Sequence, residues 1–195
     1  MINDATPTRL SELTDALTIN RGILTQVTAP HGQLPVLSVP ELRTGAAAKR
    51  FVNEGALAEA HQGIAVEEDV LVALDGTAAG EIFVVPEDFP IFVPSQQVAV
   101  IRIQDRSRLD PWYLGAFLST ESARNQMRRL ARGEKVQRIP VKDLDSLTLP
   151  LFSPSNQALY GNRYRAYQKA IRAHREIAQH LESMCAAESE MNFAP

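Results

Sequence analysis

The sequence has little of what a catalytic centre is built from. Cysteine occurs once, as Cys185, so no disulfide framework exists and a reducing compartment fits. The four histidines, His31, His61, His174 and His180, have no spacing that closes a metal site. With one cysteine and scattered histidines, no nucleophile–base pair stands out either. No glycine-rich cofactor loop follows a strand, and no apolar run is long enough to cross a membrane. The opening MINDATPTRL has neither the basic start nor the apolar run of an export signal. The expectation is a cytoplasmic protein, not an enzyme, with no cofactor or metal of its own and no membrane contact.

Two stretches imitate active-site motifs and are better explained structurally. LDGTAAG lacks the second carboxylate of a phosphatase loop, since position 73 is Ala73, and Asp75-Gly76 is a turn signal. DPWY, Asp110 to Tyr113, is similar to the tetrapeptide of DNA amino-methyltransferases. Asp110 before Pro111 is also the ordinary start of a capped helix, with Trp112 buried.

What the chain does have is uneven charge. Its net charge is −3, yet residues 1–100 carry five basic against thirteen acidic side chains. Residues 101–142 reverse this with ten against four, which suggests a face built for an anionic partner. Arg124, Arg128, Arg129 and Arg132 fall largely on one side of an expected helix, and Lys135, Gln137 and Arg138 extend the cluster past Gly133. Such groups release counterions from a phosphate backbone, and Arg and Gln can pair with base edges. A solvated helix face explains the same charge, and charge alone does not decide.

The other feature is the tail. From about Ser155 to Glu188 no proline occurs and the one glycine is Gly161, enough for a helix of about 50 Å. Tyr160, Tyr164, Tyr167, Ile171, His174, Ala178, Leu181 and Cys185 recur at alternating spacings of four and three, a heptad seam. Ala170, Ile177 and Met184 widen it, while Arg163, Arg165, Lys169, Arg172 and Arg175 are expected on a solvated side. A body of about 150 residues cannot cover all of this stripe, so a helix of another chain is expected to pair with part of it.

In the body, Leu10, Leu13 and Leu17 suggest a short helix or turn. Strands are expected at Ile23–Val27, Leu34–Val39, around VLVAL and EIFVV, over PSQQVAVIRI and at VQRIP. PELRTG reads as one helical turn, and Ala46 to Gly63 as partly helical. Helices follow Asp110 and Ser122, and Leu144, Leu147 and Leu149 point inward before the hinge LPLFSPSNQ. The fold class is α+β: a body of short strands, residues 1–152, followed by a long coiled-coil helix, residues 153–195.

The order of IAVEEDVLVALDGTAAGEIFVV, PSQQVAVIRI, LDPWYLGAFLST and RGEKVQRIPVKDLDSLTLPLFSPSNQ with the long helix resembles the target-recognition domain of type I restriction–modification specificity subunits. The hinge departs from the family's, with Ser155-Asn156-Gln157 and no glutamate, and Ser95-Gln96-Gln97 stands where Asn-Gln is common. The resemblance implies a body that binds double-stranded DNA, with Gln96 and Gln97 added to the DNA-facing residues. It implies one recognition domain and one spacer helix, a half-subunit that pairs as a homodimer to read a two-part site. The implied partners are a DNA adenine methyltransferase subunit and, further, a translocase–nuclease subunit. The competing expectation is a dimeric protein–protein module or decoy regulator that binds the methyltransferase without reading DNA. A small enzyme using Asp75 or Asp110 ranks last.

Overall fold

A computed structural model describes residues 5–23, 28–53, 55, 63–134 and 136–193, with side chains up to residue 188. The strands are β1 (Thr6–Arg9), β2 (Leu17–Arg21), β3 (Thr28–Ala29), β4 (Val36–Leu37), β5 (Phe51–Val52), β6 (Val70–Ala73), β7 (Ile82–Val84), β8 (Val93–Pro94), β9 (Val98–Ile103) and β10 (Thr148–Leu151). The helices are α1 (Val39–Thr44), α2 (Pro111–Leu118), α3 (Glu121–Leu130) and α4 (Pro154–Phe193).

The centre is a four-stranded antiparallel sheet in the order β2-β9-β6-β7. β6 is buried on both faces, and strand alternation divides it between two cores. Val70 and Val72 join Ile101, Leu114 and Leu118 under α2, while Leu71 and Ala73 join Val39, Leu42 and Phe92 on the α1 side. The β-branched run from Val98 forms β9 as the sequence suggests, and Asp75–Gly80 is the tight connection from β6 to β7. Leu144, Leu147 and Leu149 are buried, also as expected.

Several expectations give way. The short helix or turn expected at Leu10, Leu13 and Leu17 is present as one 3-10 turn, Leu10–Leu13, but Leu17 lies outside it and opens β2. Pairing decides this, because β1 lies against β10 with Thr6 opposite Leu151, a partner distant in sequence. The strand foreseen at Leu34–Val39 is confined to β4, and Val39 already belongs to α1, whose capping box joins Ser38 N to Glu41 Oε2 at 2.7 Å. VQRIP forms no strand; Arg138 makes isolated bridges to Asp75 and Arg132 instead. Within Ile23–Val27 only Ile23 is described, bridging to Ser95. Within Ala46–Gly63 the chain forms β5 where partial helix is expected, because Phe51 and Val52 pair with β3, and residues 54 and 56–62 lie outside the described residues.

α2 starts as the sequence predicts. Asp110 accepts from the Tyr113 backbone N–H at 2.7 Å, with Pro111 in the first turn. α4 then crosses this helix start at close range. A Cβ on Gly161 would come within 2.5 Å of Asp110 Oδ1, so α4 needs glycine there to meet α2; a Cβ on Gly115 would come within 2.4 Å of Val84 Cγ2, so α2 needs glycine there to meet β7. Gln157, only 2% exposed, stitches the junction. Its carbonyl accepts from Asp110 N at 2.9 Å, and its amide donates to Phe152 O at 2.8 Å and Arg108 O at 3.1 Å.

The first turns of α4 therefore face inward. Tyr160 and Tyr164, expected on the outer seam, pack against the main core, and the Tyr164 hydroxyl is 2.8 Å from that of Ser119. Beyond them the helix turns its charged side to the body. Arg165 pairs with Glu87, Arg172 reaches Asp88 at 2.9 Å, and Arg175 donates to Arg43 O at 2.6 Å. Gln179 donates to Thr44 O, so the helix follows the body this far. The side expected to face solvent is the one attached, because β7 ends in the acidic turn Glu87-Asp88. The Arg172 guanidinium holds the Asp88 carboxyl below its ordinary range.

Gly161→Ala should lower the stability of the folded chain by about 1–3 kcal/mol, read as a drop of several degrees in the thermal midpoint by circular dichroism. Burial pushes the Tyr113 hydroxyl from 10.0 up to about 12, with Tyr160 beside it. The folded state thus disfavours the phenolate, and stability should hold below pH 10 and fall as pH rises towards about 12. Tyr113→Phe should flatten that alkaline loss in denaturant titrations, the remainder belonging to Tyr164, which burial also raises.

Candidate nucleic-acid interface

Three chain segments that the sequence marks separately meet at one end of the central sheet. The Leu74 N–H donates to Gln97 O at 2.8 Å, the Ile139 N–H to Leu74 O at 2.8 Å, and the Gly76 N–H to Gln137 O at 3.0 Å. The Ser95–Gln97 turn, the β6–β7 connection and the segment after α3 are thus side by side. Gln97 is exposed, Gln96 is half-buried, and the Gln96 carbonyl accepts from Arg21 Nε at 2.8 Å.

Next to this end lies an open cleft of about 720 Å³. Arg124, Arg128 and Met127 of α3 form one wall, Gly76, Thr77 and Gly80 another, and Gln137 a third. α3 is placed by Thr120, which caps Ala123 N at 3.2 Å, and by Gln126, which exchanges two 2.9 Å hydrogen bonds with the Thr148 backbone. Ala123 and Met127 are buried, which leaves the arginines outward. Arg43 and Glu81, paired at 2.8 Å, also border the cleft, so its ionisable lining carries three arginines and one glutamate.

The predicted basic residues divide by what they already hold. Arg128 pairs with Glu121 and also reaches Asn125. Arg132 holds Asp143 at 2.7 Å, and Arg138 grips Asp75 with both Nε and Nη2 at 3.0 Å. Arg124 and Arg129 are exposed and have no ion pair among the described residues. Arg129, Arg132 and Arg138 do not line the cleft, and Lys135 lies outside the described residues.

The charge asymmetry of the sequence is partly internal. Arg102 forks onto the buried Asp69 at 2.8 and 2.7 Å, Arg106 meets Glu68 at 2.8 Å, and Arg108 meets Asp15. The acidic first hundred residues therefore neutralise part of the basic stretch. Burial of a carboxylate such as Asp69 is tolerable only with a partner of this kind, so Arg102 is structural. No local signal in the sequence marks this pair, nor the burial of Gln157 within the hinge. Asp110 and Trp112 are likewise structural: the Trp112 indole N–H reaches Glu68 Oε1 at 3.3 Å, and the Arg165 guanidinium lies 5.4 Å from the ring centre.

On the distal helix Tyr167, Ile171, His174, Ala178, Leu181 and Cys185 are exposed, as are Ile177 at 59% and Met184. Tyr167, Ala170, Ile171, His174 and Ala178 form a shallow, mostly apolar strip facing away from the body. Among the described residues no group of His, Cys, Asp and Glu could hold a metal ion, and no helix is long and apolar enough to cross a membrane.

No family model matches the chain, and no curated protein matches it. Solved structures do. An S subunit of a type I restriction–modification system from M. genitalium aligns with 95% of this chain at TM-score 0.55 and 16% identity. A structure described for complex assembly and conformational transition of the type I R-M system aligns with 98% at 0.59 and 17%. The HsdS subunit from Thermoanaerobacter tengcongensis aligns with 93% at 0.54 and 18%. The chain has the fold of these proteins. It spans less than half their length, 43%, 45% and 40% respectively. The α+β body followed by a long C-terminal helix is thus an architecture that this chain shares with them.

Proposed function

We propose that this chain reads DNA sequence as a specificity unit of a type I restriction–modification system. The observation that carries the reading is the cleft, where Arg124, Arg128 and Gln137 converge beside the Gln96–Gln97 turn. Its arginines supply sequence-independent attraction to phosphates, and its loops supply side chains that can meet base edges. The unit has no catalytic role in this reading. It docks a DNA adenine methyltransferase subunit, and a translocase–nuclease subunit, onto the site it recognises, in the cytoplasm.

The division into a reading body, residues 1–152, and a spacer helix, residues 153–195, belongs to the same proposal. Tyr167, Ile171, Ala178, Leu181 and Met184 form an apolar line on a helix that Arg172 already fixes to the body from another side, with Arg175 at the border between the two. A second copy covers this line, and two bodies then face two half-sites. Tyr160 and Tyr164 have no part in that pairing, being held by their own core.

The charge-introducing pair Ile171→Glu with Leu181→Glu should shift the protein to monomer in sedimentation equilibrium and leave the body folded by circular dichroism, because neither residue is buried in its own chain. Arg124→Ala with Arg128→Ala should weaken binding to every duplex alike and reduce the salt slope by about two. Gel shifts at low salt, with the methyltransferase partner present, measure this. Absence of any shift by the unsubstituted protein would favour a decoy that occupies the methyltransferase instead.

A further inference from the structure

Building on the DNA-reading assignment, we infer that Arg138 reads a guanine and that Asp75 is the residue that positions it. Asp75 follows β6 and is nearly buried, its side chain 8% exposed, whereas Arg138 is 62% exposed. The carboxylate takes Nε and Nη2 of Arg138, each at 3.0 Å. A guanidinium has five N–H groups in one plane. This fork uses its side edge and leaves the end edge, Nη1 with the second N–H of Nη2, unused. That edge can pair with O6 and N7 of guanine in the major groove.

The second arginine fork of the molecule shows the difference. Arg102 grips Asp69 through the same two nitrogens, but its Nη2 also donates to Ile64 O at 3.1 Å. That guanidinium is occupied inside the body. Arg138 has no further acceptor among the described residues. Its backbone is fixed as well: Arg138 and Arg132 exchange two 2.9 Å hydrogen bonds, and the flanking Gln137 and Ile139 are tied to Gly76 and Leu74. Gly76, at φ of 71°, has open space where a side chain would stand, so a duplex can approach this turn closely.

The free edge also fits a backbone phosphate. A phosphate accepts from many directions and gains little from an arginine locked in one plane. A guanine edge presents two acceptors in one plane, which a fork held in that plane matches, so the cost of ordering the side chain is best matched to a base. Arg128 and Arg132, held through Nη2 alone and not forked, suit the phosphate role better.

Selection from a randomised duplex pool, with the methyltransferase partner present, tests this. The unsubstituted protein should select sites with a guanine at one position where Arg138→Ala loses the preference by about tenfold or more and leaves the other positions unchanged. Arg138→Lys, which keeps the charge and loses the planar fork held by Asp75, should keep the affinity for random duplex and weaken that same preference. Asp75→Asn, which keeps an acceptor and removes the charge, should weaken the preference at that position alone. If Arg138→Ala fails to fold, Arg138→Lys decides. A uniform loss across positions with a lower salt slope would mean a phosphate contact, and unchanged selection would mean a loop clamp; either overturns the inference while leaving DNA reading in place. No selection by the unsubstituted protein overturns DNA reading itself, and this assignment with it.

Discussion

The crossing of α4 over the start of α2 is the constraint on which the molecule's geometry depends. Gly161 brings the elements together, and the side chain of Gln157 replaces water for three backbone groups at the point of contact. A buried amide with all its partners made fixes a direction, because any other placement of the helix would leave polar groups unpaired. The same few residues that begin the rod also cap the helix lying over the main core. Body and rod are set at one angle by local hydrogen bonds and close packing. The ion pairs further out follow that angle more than they create it, since exposed pairs contribute little.

From this angle follows the separation of surfaces. The rod directs its arginines at the acidic turn after β7 and carries its apolar line on the far side. Helix periodicity links the two: once residues 165, 172 and 179 face the globule, residues 167, 174, 178 and 181 turn away from it, and Arg175 lies at the border beside Ile171. The end of the sheet where Gln97, Asp75 and Arg138 sit is fixed by backbone hydrogen bonds between segments far apart in sequence. The cleft and the apolar line thus occupy different parts of one frame.

Much of this is legible in the chain itself. Asp110-Pro111 announces a helix start, the β-branched run after Gln97 announces β9, and the leucines at 144, 147 and 149 announce inward positions, because each signal is local. The heptad pattern gives the rod but not the orientation of its first turns, since Tyr160 and Tyr164 satisfy a seam equally well whether it faces a partner or the body. Leu10, Leu13 and Leu17 imitate helical spacing because a 3-10 turn followed by a strand can present the same residues to one core. The basic excess of residues 101–142 looks wholly available because net charge carries no information on pairing: Asp69, Glu68 and Asp15 find Arg102, Arg106 and Arg108 only after folding. The cleft is legible in its residue types, and its shape is not.

The ladder between β1 and β10 has a mechanical side. β10 runs almost directly into the rod, and its only strand partner among the described residues is β1, anchored in turn by Leu10 and Leu13 in the main core. Tension applied to the rod is therefore shared between the Gln157 knot and a four-residue seam reaching back to Thr6. A bulky fusion placed just ahead of that strand would load this anchorage, whereas one beyond the tip of the rod would sit tens of ångströms from it.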